Sequence, residues 1–319
     1  MEYFYSILIP AFKAKYLSAT INSCLCQSYS NFEIIIVDDA SPEDILGVVK
    51  SFNDERIHYY RNKANCGAVN VVDNWNICLD YANGDYVICM GDDDLLASCC
   101  LEDYNSIINK YPGLNVYHTR TLLIDDSSKV WQIQEQRPEY ETGYSLWWHR
   151  WNGRGRQYMG DFLFLRQHLI DVGGFYKLPL AWASDDISTV RAALPKGIAN
   201  VSRPGFMYRQ SPITISMSAS EQIKAEAACL EKDWYHEKLL IAKPDNDVDT
   251  LLVTLLKNEI DLHFKDKIFQ SFLIDIYNHP FRFYFWYKNN CRFSISKSSI
   301  IFAFCKSMLR SFVRKCLFR

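Results

Sequence analysis

No stretch of this 319-residue sequence approaches the ~18 uninterrupted apolar residues of a membrane-spanning helix, so none is expected. The N-terminal segment lacks the apolar run of a signal peptide and is broken by Lys13 and Lys15, so a secretory leader is not expected either. Cysteine is plentiful at 11, yet no C-x-x-C occurs: Cys24 and Cys26 lie two apart, and Cys99 and Cys100 are adjacent. That odd, irregular set argues against a cysteine metal grid and suits a reducing compartment, where cysteine packs as a small hydrophobe. The seven histidines show no ligand spacing, and His58 and His118 are read as structural. Internal repeats and low-complexity tracts are also lacking.

Acids are missing from the end of the chain. From Ile276 to Arg319 there are nine Lys/Arg and no Asp or Glu, which leaves 26 basic against 37 acidic residues in the rest. An acidic body with a basic tail argues against a nucleic-acid reader, and for a tail with its own anionic partner. What is there is globular: 49% hydrophobic and 23% charged residues, enough chain for one large domain with an appendage or for two domains.

Apolar strand runs at Tyr3–Pro10, Phe32–Val37, Arg56–Tyr60 and Asp85–Met90 alternate with helical spacing at Ala14–Gln27, after Ser41-Pro42, at Gly67–Ala82 and after Ser98. That alternation predicts an α/β fold with a mainly parallel central sheet flanked by helices, in which ligands sit beyond the carboxyl ends of the strands. The segment from Val130 to Gln157 reads as an irregular loop rich in Trp and Arg. Helices are expected again at Asp161–Asp171 and Asp185–Leu194, and residues 219–319 read as a helical, aromatic and basic region following a 1–218 domain.

Both acidic clusters fall at strand ends. Asp92, Asp93 and Asp94 repel one another, so a fold keeps them together only if something cationic offsets the cost. A divalent ion bridging a diphosphate would do so, since carboxylate oxygens suit Mg²⁺ or Mn²⁺. An acidic turn capping the next helix is the alternative. Asp38-Asp39 reads either as a pair of solvated turn residues or as an acceptor for a base N–H or ribose hydroxyl.

Ser6-Ile-Leu-Ile-Pro-Ala-Phe12, Gln27 through Asp38-Asp-Ala-Ser41, Asn74-Trp-Asn76, Gly84-Asp-Tyr86 and Gly91-Asp-Asp-Asp-Leu95 follow in order over the first 100 residues or so, with a weaker block from Phe162 to about Ser218. This set resembles the family 2 inverting glycosyltransferases. The resemblance implies a GT-A fold, a nucleotide-sugar donor of the UDP-sugar kind and bound Mn²⁺ or Mg²⁺. By position, Pro10, Ala11 and Phe12 would line the nucleotide pocket, Asp39 would meet the base, and Asp92 and Asp93 would lie at the diphosphate–metal junction. Gly91 stands where the family's metal motif usually has its first acid, which keeps Asp94 in the candidate ligand set with Asp93. The segment Asn65–Asn76 is about three residues longer than usual.

Val172-Gly-Gly-Phe175 followed by Ser184-Asp185-Asp186 resembles the family's Gly-Gly-Phe and Glu-Asp pair. This implies Asp186 as the general base of an inverting transfer, with Asp185 beside it; helix-dipole acids are the alternative. Tyr208-Arg209 with Ile215-Ser216 resembles a segment closing the donor site, where Arg209 would face the diphosphate unless it is a surface arginine. The Trp147–Arg156 stretch offers either a platform for a glycan or lipid-linked acceptor or ordinary packing. In residues 299–319, Lys306, Arg310, Arg314 and Lys315 oppose Ile301, Phe304, Met308, Leu309, Phe312 and Cys316. Such a helix either lies on an anionic membrane, at its cytoplasmic inner face, or packs on the body. The other functions considered are a non-catalytic peripheral membrane protein that binds nucleotide, and a nucleotidyltransferase. The second usually wants a glycine-rich loop, and Pro10–Lys15 has no glycine.

Overall fold

The computed structural model describes residues 2–210 and 220–317, with side chains up to Met308. Ile215 and Ser216, and the side chains of Leu309, Arg310, Phe312, Arg314, Lys315 and Cys316, lie outside the described residues. The chain divides into two compact units: Met1–Lys177 with Ser184–Thr214, and Leu178–Ala183 with Ile215–Arg319.

In the first unit, β1 (Tyr5–Ala11), β2 (Phe32–Asp38), β3 (Ile57–Arg61) and β4 (Tyr86–Cys89) form a parallel half-sheet in the order β3-β2-β1-β4. Every residue of β2 is buried, which is why it reads as a continuous apolar run rather than an alternation. α1 (Leu17–Leu25), α2 (Ile45–Lys50) and α3 (Val71–Tyr81) make the crossovers. α2 begins three residues beyond Ser41-Pro42, because Asp44 provides the cap, accepting the Gly47 N–H at 2.8 Å.

Beyond β4 the sheet is mixed. After β5 (Leu95–Leu96) and α4 (Cys100–Lys110) come β6 (Val116–Ile124), β7 (Val130–Ile133), β8 (Tyr140–Glu141), α5 (Gly143–Trp151), β9 (Phe162–Leu165), α6 (Arg166–Asp171), α7 (Ser184–Ala193) and β10 (Ile198–Arg209). β9 lies antiparallel between β4 and β6, β6 and β10 run parallel, and β5 closes the edge antiparallel to β10. The helix expected at Asp161–Asp171 is thus a strand followed by one short helix: Phe162-Leu-Phe-Leu165 fills the slot between two strands. The expected loop at Val130–Gln157 contains two short strands and α5, capped by Thr142 accepting from the Ser145 N–H at 3.1 Å.

Two of the sequence motifs have packing reasons. A Cβ at Gly84 would lie 2.6 Å from the Ser6 nitrogen, so the Gly84-Asp85 turn needs glycine to lie against β1. Asn76 on α3 accepts the Phe175 N–H at 2.7 Å and donates to its carbonyl at 3.3 Å. It thereby grips the Gly173-Gly174 turn, whose φ values of 82° and 89° favour glycine.

The second unit is helical. In α8 (Glu221–Leu240) and α9 (Asp247–Asn278) the pairs Gln222–Asp275, Glu231–Lys267 and Lys232–Asp261 occur in opposite order along the two helices, which makes them an antiparallel hairpin. Leu256, Ile260, Phe264, Ile268, Phe272 and Ile276 recur every four residues as the buried stripe of α9. α10 (Phe283–Lys288) seats the buried Trp286, whose indole N–H donates to the buried Asp275 at 2.8 Å. α11 (Lys297–Leu317) buries Ile300, Ala303 and Ser307 as its inner face.

Candidate active site

β4 gives out at Cys89. The Met90 N–H still donates to the Leu8 carbonyl at 2.9 Å, and then Gly91-Asp92-Asp93-Asp94 leaves the sheet at the carboxyl edge of the parallel strands. The Thr20 hydroxyl of α1 reaches the carbonyls of Asp92 and Asp94 at 3.1 and 2.9 Å and fixes the turn. Its three carboxylates then go separate ways. Asp92 turns inward and accepts the backbone N–H groups of Phe12 and Lys13, both at 2.7 Å. Asp94 accepts the Arg209 N–H at 2.9 Å. Asp93 and Asp94 converge over Gly91, where an added Cβ would lie 2.9 Å from Asp93 Oδ1 and 3.0 Å from Asp94 Oδ2.

Burial pushes Asp92 up to about 6, Phe12 and Lys13 pulling the other way through their N–H groups. Burial raises Asp93, against the pull of Lys13 and Arg209, and raises Asp94 well above the usual carboxylate range, with the Asp93 charge adding to it. The turn is therefore short of positive charge. Its donor set fits a hard divalent cation. Among the described residues no three His, Cys, Asp or Glu side chains form a cage. Two carboxylates on one side, with oxygens of a phosphate ligand on the other, is the arrangement Mg²⁺ favours.

Arg209 is no surface residue. It is 1% exposed, with Nε on the Asp93 carbonyl at 2.7 Å, Nη1 on the Asp125 carbonyl at 2.8 Å and the guanidinium 4.3 Å from the Tyr16 ring centre. Its buried Nη2 finds no hydrogen-bond acceptor among the described residues.

Asp38 and Asp39 part company. Asp38 is wholly buried and serves the fold: it takes the Tyr59 hydroxyl at 2.7 Å, the Ser41 N–H at 2.8 Å and the Arg61 guanidinium. Asp39, whose N–H continues the ladder to the Ala11 carbonyl, accepts from Asn62 Nδ2 at 2.8 Å and from the Cys66 N–H at 2.9 Å, ordering the longer segment that follows β3. Ala11 is fully buried and Phe12 is 40% exposed, so Asp39 and Asp92 flank one stretch of chain whose outward side chain is Phe12.

Asp185 and Asp186 open α7. Asp186 is held by both guanidinium arms of Arg150, at 2.6 and 3.2 Å, and by Gln157 Nε2 at 2.5 Å. Burial pushes Asp185 up to about 7, the Asp186 charge adding to it and Arg150 opposing. Tyr208 joins the two acidic groups, since its hydroxyl, raised first by burial, also feels Asp94, Asp93 and Asp185. Its ring stacks on Tyr158 at 4.0 Å. Of the supposed aromatic platform, Trp147 is fully buried and belongs to the core.

With this geometry, residues 6–175 match the family model described as glycosyl transferase family 2. The chain belongs to that family. This family 2 member is 33% identical over 110 residues to the Escherichia coli UDP-Glc:alpha-D-GlcNAc-diphosphoundecaprenol beta-1,3-glucosyltransferase WfgD, a match covering 34% of this chain and 42% of that one. A second E. coli UDP-Glc:alpha-D-GlcNAc-diphosphoundecaprenol beta-1,3-glucosyltransferase, WfaP, is 37% identical over 90 residues, covering 28% and 35%. The chain thus spans less than half of either relative. S. aureus TarS 1-349 in complex with UDP-GlcNAc has a TM-score of 0.64 at 18% identity, covering 84% of this chain and 80% of that one. The mannosyltransferase PcManGT from Pyrobaculum calidifontis, in complex with GDP-Man and Mn²⁺, gives 0.55 at 13%, covering 88% and 76%. The likeness to the two solved structures establishes a GT-A fold.

Sequence reasoning missed Asn62 and Gln157, carried Arg150 only as part of the Trp147–Arg156 stretch, and named Tyr208 without its partners. Arg150 and Asp186 lie 36 residues apart on two helices, and no local pattern marks them as a pair.

Proposed function

We propose that this family 2 protein transfers a sugar, with inversion, from a UDP-linked donor to a hydroxyl of a glycan or lipid-linked acceptor in surface polysaccharide synthesis. The observation that carries this is the convergence of Asp93 and Asp94 over Gly91, beside the unsatisfied Nη2 of Arg209. Pro10, Ala11, Phe12 and Asp39 would form the nucleoside wall, Asp92 setting the loop from beneath. Asp93 and Asp94 would hold Mn²⁺ or Mg²⁺, which supplies positive charge for a departing diphosphate. Arg209 adds a fixed cation to the same side. The Asp185–Asp186 pair receives the acceptor proton. The named activities of WfgD and WfaP support a UDP-sugar donor and a diphospholipid acceptor. A panel of nucleotide sugars screened for thermal stabilisation in Mn²⁺ tests the reading. Saturation at 100 times Kd gives about 2.7 kcal/mol, and a panel in which no donor stabilises refutes it.

We also infer that the second unit lies on an anionic membrane surface at the inner, cytoplasmic face. No helix among the described residues is long and apolar enough to cross a membrane. α11 packs through Ile300, Ala303 and Ser307 and leaves Ile301, Phe302 and Met308 outward, with Phe281 and Tyr284 exposed on the segment before it. Because the inner face of α11 is part of the fold, Phe302→Asp is a cleaner test than deletion of residues 299–319. It should abolish sedimentation with phosphatidylglycerol vesicles without lowering Tm, and undiminished sedimentation refutes the membrane role.

A further inference from the structure

The Trp147–Arg156 stretch borders an enclosure built from arginines rather than from Trp147. α5 and the turn after it face the residues joining β7 to β8 across a cavity of about 170 Å³. Arg137 enters it from the β7–β8 connection, and His149, Arg150 and Arg154 from α5 and its end. Arg137 has Nη2 on the carbonyls of Gly155 and Arg156, at 3.2 and 3.1 Å, and its buried Nη1 finds no acceptor among the described residues. Arg154 is exposed, and neither arginine makes an ion pair among the described residues. The two carboxylates of the lining are engaged by other donors. Glu135 accepts the Gly155 N–H. Glu141 accepts the Ser145 hydroxyl at 3.3 Å and Asn200 Nδ2 at 3.4 Å, with His149 Nδ1 3.5 Å away. Arg150 closes the cavity toward α7, because its guanidinium also holds Asp186 at 2.6 and 3.2 Å. The enclosure and the acidic pair that opens α7 therefore share a wall.

Guanidinium groups that lack a carboxylate partner suit a phosphate, whose oxygens match their planar fork. Enclosing a donor such as Nη1 of Arg137 without an acceptor is costly, and a phosphate oxygen relieves that cost. Glu141 and His149 add a carboxylate and an imidazole to the same lining, groups that accept from and donate to sugar hydroxyls. The mixed set fits a sugar phosphate better than a bare anion.

We propose that this cavity is the subsite for the phosphate-bearing end of the acceptor sugar. Arg137 and Arg154 take the phosphate oxygens, Glu141 and His149 meet ring hydroxyls, and the hydroxyl to be glycosylated passes Arg150 to reach the Asp185–Asp186 pair. This rests on the glycosyl-transfer reading, in which the acceptor sugar is carried on a diphosphate. A site that reads that phosphate separates the first sugar on a lipid diphosphate from the same sugar within a neutral glycan. The reaction supplying the acceptor is then one that leaves phosphate on the anomeric carbon of the sugar.

The test saturates the full chain with UDP and Mn²⁺, so that the donor side is filled, and titrates N-acetylglucosamine 1-phosphate by calorimetry beside neutral N-acetylglucosamine. The phosphate should bind at least about tenfold more tightly than the sugar alone, and Arg154→Gln should raise its Kd about 10–100-fold, the scale of one hydrogen bond to a charged group. UDP affinity and Tm should not change. Arg137→Gln should act in the same way; because Arg137 also holds the 155–156 turn, the exposed Arg154 carries the test if that variant fails to fold. Equal Kd values for the two probes, an unaltered Kd in Arg154→Gln, or sugar-phosphate binding that weakens as UDP rises overturns the assignment. A lipid headgroup is the other source of phosphate. Arg154→Gln should sediment with phosphatidylglycerol vesicles as the wild type does, and a loss there assigns the cavity to a headgroup and overturns the acceptor role. If UDP itself does not bind in Mn²⁺, the donor reading falls on that result alone, whereas the sugar phosphate titrated into the free protein still decides whether the cavity binds one.

Discussion

Gly91→Ala separates the chemistry of the acidic turn from its stability. The new methyl would stand 2.9 Å from Asp93 Oδ1 and 3.0 Å from Asp94 Oδ2, where ordinary contact begins at 3.4 Å. Relief requires the Asp93 carboxylate to retreat by about 0.5 Å, and metal–ligand distances tolerate only about 0.2 Å. Mutations that disturb the groups orienting a metal's ligands typically weaken affinity about 10–100-fold, or about 1.4–2.8 kcal/mol. The backbone itself accepts alanine, because Gly91 is absent from the positive-φ glycines, and stiffening the unfolded chain adds about 0.4–1 kcal/mol of stability. The variant should therefore have an equal or higher Tm and weaker Mn²⁺ binding, read by calorimetry in the presence of UDP. Unchanged Mn²⁺ affinity would show that the convergence of Asp93 and Asp94 has no part in holding the ion.

Asp93→Ala should abolish Mn²⁺-dependent UDP binding in the same titration while the circular dichroism spectrum stays native; retained binding removes Asp93 from the ligand set. Asp161, raised by burial to about 8, accepts the Thr121 hydroxyl at 2.8 Å and stays protonated at neutral pH. A raised carboxyl stabilises the fold fully below its unfolded pKa near 4, and that contribution is lost as pH rises through 8. Asp161→Asn removes the titration, so denaturation from pH 5 to 9 should show the variant gaining on the wild type as pH rises; parallel curves would contradict the assigned protonation. Trp286→Phe withdraws the indole N–H from the buried Asp275 and should cost about 1–3 kcal/mol in the second unit, seen as a lower urea midpoint.

The parallel half-sheet was legible because its strands are continuous apolar runs ending abruptly in acids, and both signals are local. Asp92–Asp94 and Asp39 could be singled out as candidates for the same reason. The mixed half was not. Phe162–Leu165 is four residues long, too short for a period to tell strand from helix. The segment 130–157 hides a helix behind Trp and Arg, and the N-cap Thr142 that starts it did not stand out in so irregular a stretch. What each carboxylate does was beyond reach, because it depends on donors far along the chain. Asp38 and Asp39 are neighbours of identical chemistry, and only their partners tell them apart, Tyr59 and Arg61 for the first, Asn62 and Cys66 for the second. The buried face of α11 likewise differs from the one its charges suggested, because packing chose Ile300, Ala303 and Ser307.

The grip of Asn76 on the Gly173-Gly174 turn has a consequence for recombining this protein with other members of its family. A Cβ at position 174 would fall 2.4 Å from the Asn76 amide oxygen, so a side chain at 174 is excluded while Asn76 is present, and replacing Asn76 gives up its two hydrogen bonds to Phe175. A chimera whose crossover lies anywhere between α3 and Phe175 mixes parents across that seam. Crossovers placed after Phe175 inherit both partners together and keep the spacing between the acidic turn and α7.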